Sequence, residues 1–171
     1  MIELGRMTPE EYKGAQKFPL CVILDNVRSL NNIGSLFRSS DAFGVERMAL
    51  CGITATPPSP EIHKTALGAE ETVEWKHYPT TLEAIGELKT EGWTICCVEQ
   101  CEGSVSLEEF RVEPGRKYAI MLGHEVYGVD QQAVDASDVC LEIPQFGTKH
   151  SLNVAVTGGI LLWHLASQML P

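Results

Sequence analysis

The chain contains no C-x-x-C pair, no glycine-rich phosphate loop of the G-x-G-x-x-G or Walker A kind, no internal repeat and no low-complexity tract. Each absence removes a class of protein. Six cysteines are present (Cys21, Cys51, Cys96, Cys97, Cys101 and Cys140), mostly inside apolar strand-like runs. Neither a zinc centre nor a disulfide framework is expected from that placement, no metal site is expected, and buried free thiols in a reducing cytoplasm are. Without a glycine-rich turn to set a pyrophosphate on a helix N-terminus, ordinary dinucleotide enzymes, P-loop enzymes and Rossmann-type methyltransferases are disfavoured. Positive charge is also scarce: 13 Lys and Arg stand against 23 Asp and Glu, a net charge of −10. That balance argues against broad, sequence-blind nucleic-acid binding, which needs many phosphates neutralised. It leaves room for a local basic cluster. No basic stretch followed by an apolar run marks a signal peptide. The longest apolar segment, "LNVAVTGGILLWHLASQML", is interrupted by Asn153, Thr157, His164 and Gln168. It reads as a buried or interface helix rather than a membrane span, and a cytoplasmic protein is expected.

What remains is an ordinary globular composition, 44% hydrophobic and 21% charged over 171 residues, enough for one domain with a real core. Short apolar runs recur at 20–25, 47–52, 93–99, 117–123 and 139–144. None alternates strictly with polar residues, the pattern of strands covered on both faces. Helical segments are expected between them, near 32–43, 61–68, 80–91, 130–136 and 152–169. The alternation predicts an α/β fold with a mostly parallel sheet flanked by helices. Ahead of it, "TPEEYKGAQKF" reads as a short added helix with Thr8 as cap and Pro9 at its first position. The expected organisation is an N-terminal helical extension over 1–19 and one domain over 20–171.

In such sheets ligands gather beyond the carboxyl ends of the strands, and three loops there carry unusual chemistry. The first, "DNVRSLNNIGSLF", opens a helix on which Gly34, Arg38 and Asp41 share one flank. Arg38 could reach a strand-end cavity with Gly34 clearing its path, or it could simply pair with Asp41 on a solvated face. The second, "LGHEVYGVD", sets Gly123 and Glu125 just past a strand end, or is only a turn in which Asp130 caps a helix. The third, "IPQFGTKHSLNVAVTGG", puts Ser151 and Asn153 where a long apolar helix starts. Gly158 and Gly159 would each cost that helix about 1 kcal/mol, which a close approach by a ligand or another backbone could justify. No Ser–His–Asp or Cys–His arrangement and no paired carboxylates for glycoside hydrolysis stand out.

Taken in order, the three loops resemble the three motifs of the SpoU-type RNA ribose 2′-O-methyltransferases of the SPOUT class. Asn32, Gly34, Arg38 and "DAFG" (41–44) match the first motif. Leu122, Gly123, Glu125 and Gly128 match the second. Ile143, Pro144, Gly147, Ser151, Leu152, Asn153 and Val154 match the third. The resemblance covers about residues 20–165. It implies a deep C-terminal trefoil knot, an exception to the rule that chains do not thread their own loops. It also implies S-adenosylmethionine as cofactor, held by the loops around Leu122, Gly123, Ile143, Pro144, Ser151 and Leu152, and a homodimer with substrate across the interface. By the same resemblance Arg38 acts on the ribose hydroxyl, Asn32 and Ser151 orient Arg38 or the ribose, and Asn153 and Glu125 shape the site. Arg28, Lys64 and Lys149 are expected phosphate contacts. Two positions depart from the family pattern: His124 replaces an asparagine and Gln145 a methionine. The separate N-terminal RNA-binding domain of larger relatives has no counterpart here, which favours a compact structured RNA, tRNA over rRNA. The alternative is a knotted RNA-binding protein that no longer transfers a methyl group.

Overall fold

Apolar runs with no polar alternation demand cover on both faces, and in the computed structural model they receive it. The structure describes residue 5 and residues 7–171; residues 1–4 and 6 of the expected N-terminal extension lie outside the described part. The chain runs α1 (Pro9–Gly14), β1 (Phe18–Asp25), α2 (Leu30–Ala42), β2 (Val45–Cys51), α3 (Pro60–Ala66), α4 (Ala69–Thr72) and β3 (Glu74–Tyr78). It continues through α5 (Thr81–Thr90), β4 (Trp93–Val98), β5 (Val105–Ser106), β6 (Lys117–Leu122), α6 (Gln131–Asp135), β7 (Val139–Glu142) and α7 (Val154–Gln168). All recorded strand pairs are parallel, in the order β3-β2-β1-β6-β4-β7-β5. The expected α/β class and parallel sheet are therefore present.

The period of two along each strand divides the core. Leu20, Val22 and Leu24 of β1 join Tyr118, Ile120 and Leu122 of β6 on one face, covered by Ile33, Leu36 and Phe37 of α2 and Leu161, Leu162 and Leu165 of α7. Cys21, Ile23, Ala119 and Met121 point the other way, against Ala84, Ile85 and Leu88 of α5 and Ala133 of α6. Cys21, Cys51, Cys96 and Cys97 are buried as free thiols among these side chains. No described helix is long and apolar enough to cross a membrane.

The helix ends follow their local chemistry. Thr8 and Glu11 form a capping box at α1, where Pro9 takes the first position. Ser29, Ser59, Thr80 and Asp130 cap α2, α3, α5 and α6. Gly44 lies at φ 58° just past α2, the left-handed stop that a side chain would resist. Helix α7 begins at Val154, two residues later than expected, because Asn153 accepts from the N–H groups of Ala155 and Val156 and so is the cap. Ser151 is outside the helix.

Two glycines have roles that differ from expectation. A Cβ on Gly34 would overlap the Thr65 hydroxyl and the Ile62 carbonyl, so this glycine lets α2 lie directly on α3. It does not clear a path for Arg38. Gly158 faces Leu36 and Leu122, so helix packing rather than a ligand explains it.

Candidate active site

Strands β1, β6, β4 and β7 are neighbours in the sheet, and the loops leaving the carboxyl ends of β6, β4 and β7 surround one cavity of about 500 Å³, with the loop after β1 bonded to them from outside the lining. That is within the size range of small-molecule sites. Three of its anchors come from segments far apart in the chain. The carboxylate of Glu125, in the loop after β6, accepts hydrogen bonds from the backbone N–H of Arg28 (3.0 Å) and Ser29 (2.8 Å), and from the side-chain amide of Asn32 (3.3 Å). The carbonyl of that same Asn32 amide accepts from the side-chain amide of Asn153 at 3.1 Å. Asn153 meanwhile uses its own carbonyl oxygen to cap α7. Every amide oxygen and nitrogen in the relay thus has its orientation fixed by its neighbours.

Partial burial works against ionisation of Glu125, but the donors from Ser29, Arg28 and Asn32 outweigh it and hold its pKa below the ordinary 4.5. With its oxygens committed to three donors, this carboxylate is a positioning group rather than a proton acceptor.

The cavity walls mix apolar and polar groups. Leu122, Ile143 and Leu152 supply apolar surface, Gly123 brings the backbone close, and Ser151 and Asn153 complete the third wall. A Cβ on Gly123 would overlap the backbone of Gly128 and Val129, so the loop turns this tightly only with glycine there. Pro144 sits half-buried between Ile143 and Gln145, which both line the cavity. His124, which stands where the resembled motif has an asparagine, makes a local bond: its Nδ1 accepts from the N–H of Val126 (3.0 Å) and Tyr127 (3.3 Å). Among the described residues the Ser151 hydroxyl has no hydrogen-bond partner, and it is exposed to the cavity mouth.

Arg38 is not in this wall. It is exposed on α2 and makes no hydrogen bond or ion pair with any described residue. Its expected alternative partner, Asp41, instead accepts from the Thr72 hydroxyl at 2.8 Å. Arg28 and Lys149 are exposed beside the cavity loops, the former through its backbone bond to Glu125. Lys64 lies on α3 and pairs with Glu61 at 2.7 Å.

Sequence reasoning missed several residues of the site. Ser29 both caps α2 and donates to Glu125; a serine ahead of a helical apolar pattern was the readable signal. Glu99 and Glu142, at or just past the ends of β4 and β7, line the cavity together with Tyr127, and nothing local in the sequence marks them. Among the described residues the lining therefore holds the carboxylates of Glu99, Glu125 and Glu142 and no lysine or arginine. Such walls suit a ligand that joins an apolar ring to cationic groups, and oppose one that carries phosphates.

Comparison with known proteins agrees with this geometry. The model of the SpoU rRNA Methylase family matches residues 19–163. The tRNA (guanosine(18)-2′-O)-methyltransferase of Thermus thermophilus is 29% identical over 168 residues, covering 98% of this chain and 84% of that protein. The 23S rRNA (guanosine-2′-O-)-methyltransferase RlmB of Nitrosomonas europaea is 31% identical over 91% of this chain and 59% of its own. Among solved structures, an AdoMet-bound rRNA methyltransferase from Sinorhizobium meliloti superposes with a TM-score of 0.83 at 26% identity, over 97% of this chain and 62% of its own. The chain thus spans most of the tRNA enzyme but about three fifths of the two rRNA proteins.

Proposed function

From the premise that this chain belongs to the SpoU methylase family, we propose that it is an S-adenosylmethionine-dependent methyltransferase acting on a ribose 2′-hydroxyl in structured RNA. The observation that carries the reading is the Glu125–Asn32–Asn153 relay, which ties the first motif loop to the second and third, the two that line one acidic, partly apolar cavity. S-adenosylmethionine supplies an electrophilic methyl on a sulfonium and carries an ammonium and a purine. The carboxylates of Glu99, Glu125 and Glu142 suit its cations, and Leu122, Ile143 and Leu152 suit its ring.

Bound there, the cofactor would supply its methyl group to the ribose oxygen, the carbon–sulfur bond breaking as the carbon–oxygen bond forms, and the hydroxyl proton would pass to a phosphate oxygen or water. Alignment of that oxygen supplies much of the rate. Ser151, with a free hydroxyl at the mouth, positions the ribose. Arg38 holds its own proton too tightly to act as a base, so its role is to clamp a phosphate and stabilise charge developing on the oxygen. Arg28 and Lys149 contact neighbouring phosphates, and Lys64 does so at the price of its bond to Glu61.

Because Arg38 lies outside the cavity of its own chain, the reading requires a second copy. Helix α7 leaves Val156, Ile160 and Trp163 exposed. It packs beside α2, where the Trp163 ring meets Phe43 at 5.9 Å between centroids. A homodimer that covers this stripe brings Arg38 of each copy toward the cavity of the other. The same reading takes the segment between β7 and α7 as part of a trefoil knot, places the protein in the cytoplasm, where its buried thiols stay reduced, and favours tRNA over rRNA.

The test is methyl transfer from labelled S-adenosylmethionine to bulk tRNA and to rRNA, with mass-spectrometric mapping of the modified ribose. Arg38→Ala should keep cofactor affinity within about twofold and lose transfer by roughly a hundredfold or more. Equal rates for the two proteins would refute the assignment of Arg38. A wild-type chain that binds no S-adenosylmethionine would end the enzymatic reading.

A further inference from the structure

Tyr127 is 85% exposed, yet it lines the cavity, and among the described residues no other phenol or phenyl ring does so. Its position is rigid for a loop residue. The ring stacks on His124 with centroids 4.8 Å apart and 29° between planes. His124 is held in turn by the N–H groups it accepts, and the loop is closed by paired backbone bonds between His124 and Gly128 at 3.0 and 2.9 Å. One face of the tyrosine is spent on the imidazole, and high exposure leaves the other open. On the opposite loop Phe146, beside the cavity-lining Gln145, is 97% exposed.

Resting on the methyltransferase reading, we propose that Tyr127 is a stacking platform for the base of the target nucleotide, and that the substrate therefore presents that nucleotide unstacked, in a loop or extruded from a helix. A ribose delivered to the cavity brings its base to the rim, because the two are covalently joined. Aromatic side chains take up splayed-out bases through their π-faces, with little regard to base identity. Preordering by His124 lowers the entropy lost on stacking. The chain also needs such a contribution more than most RNA-binding proteins do. With a net charge of −10, the few phosphate contacts assigned to Arg28, Arg38, Lys64 and Lys149 supply only part of the affinity. A second chain of this protein is the competing occupant, but the α7 stripe suited to it, Val156, Ile160 and Trp163, includes none of the residues that line the cavity.

The experiment compares wild type with Tyr127→Ala, Tyr127→Phe and Tyr127→Trp, using bulk tRNA and 23S rRNA transcripts as RNA and calorimetry for S-adenosylmethionine. Tyr127→Ala should raise the RNA KM and the filter-binding Kd roughly ten- to a hundredfold, with cofactor affinity within about twofold. The Phe and Trp variants should stay within about threefold of wild type on all measures, because the ring and not the hydroxyl is needed. An unchanged KM and Kd in Tyr127→Ala overturns the proposal. So does a parallel loss of cofactor affinity, which would assign the ring to the cofactor, or failure of Phe and Trp to restore RNA binding. A wild type that binds these RNAs in a Tyr127-dependent way but transfers no methyl group sinks the enzymatic reading alone.

Discussion

Replacing Glu125 by glutamine isolates the charge of the relay from its shape. The carboxylate accepts from two backbone N–H groups and one amide. Glutamine keeps one acceptor oxygen and turns an NH₂ toward a donor, so one bond is lost and the others change from charge-assisted to neutral. Hydrogen bonds to a charged group are worth about 1.5–3 kcal/mol and neutral ones about 0.5–1.5. Glu125 is partly open to water, which takes over some of what is lost, so the lower end applies and the net cost is about 1–2 kcal/mol. For a chain of this size that is a fall in Tm of about 2–8 °C. The pH dependence has a definite sign. The folded pKa of Glu125 is depressed, so its contribution is full above the ordinary value of 4.5 and is lost as pH falls through the folded value. Thermal unfolding followed by circular dichroism in dilute solution, at neutral pH and again well below 4.5, checks this. The gap between Glu125→Gln and wild type should be present at neutral pH and close in acid. Equal melting at neutral pH, or a gap that persists unchanged in acid, would refute the role assigned to the carboxylate.

Two further outcomes follow from packing. Gly34→Ala forces a methyl into the Thr65 and Ile62 contact and should cost about 1–3 kcal/mol in urea unfolding, through separation of α2 from α3; a neutral result would show that the helices are not in tight register there. Ile160→Asp puts a charge in the exposed stripe of α7 and should convert the proposed dimer to monomers in sedimentation velocity while leaving the melting temperature of the fold within a few degrees; an unchanged sedimentation coefficient would remove this helix from the proposed interface.

The strands β1, β2, β4 and β6 were legible because they are largely buried on both sides, and β7, only half-buried, was legible from the same kind of unalternating apolar run. Strand β3 was not, because "EWKHY" is an edge strand whose middle residues remain exposed, and its Lys76 pairs with Glu87 instead of entering the core. Two-residue β5 and four-residue α4 are too short to impose any periodicity. The three motif loops could be found as loops, but not the bonds that join them. Glu125 and Asn32 are 93 residues apart, and Asn32 and Asn153 are 121 apart, and no local pattern encodes a partner at such a distance. Gly34 was misread for the same reason, since its neighbours on α3 come from beyond β2. Tyr127 was overlooked because its meaning comes from exposure at a cavity rim, which only the folded chain defines.

The wide separation of those partners has a consequence for how the protein comes into being. During synthesis the first motif loop emerges well before Asn153, and until that residue arrives the last wall and the cap of α7 are both missing. A growing polypeptide can assemble much of its sheet on the ribosome yet remain unable to capture a ligand, so competence is switched on late, by docking of the closing helix, and a chain interrupted before that point would be folded in part and silent.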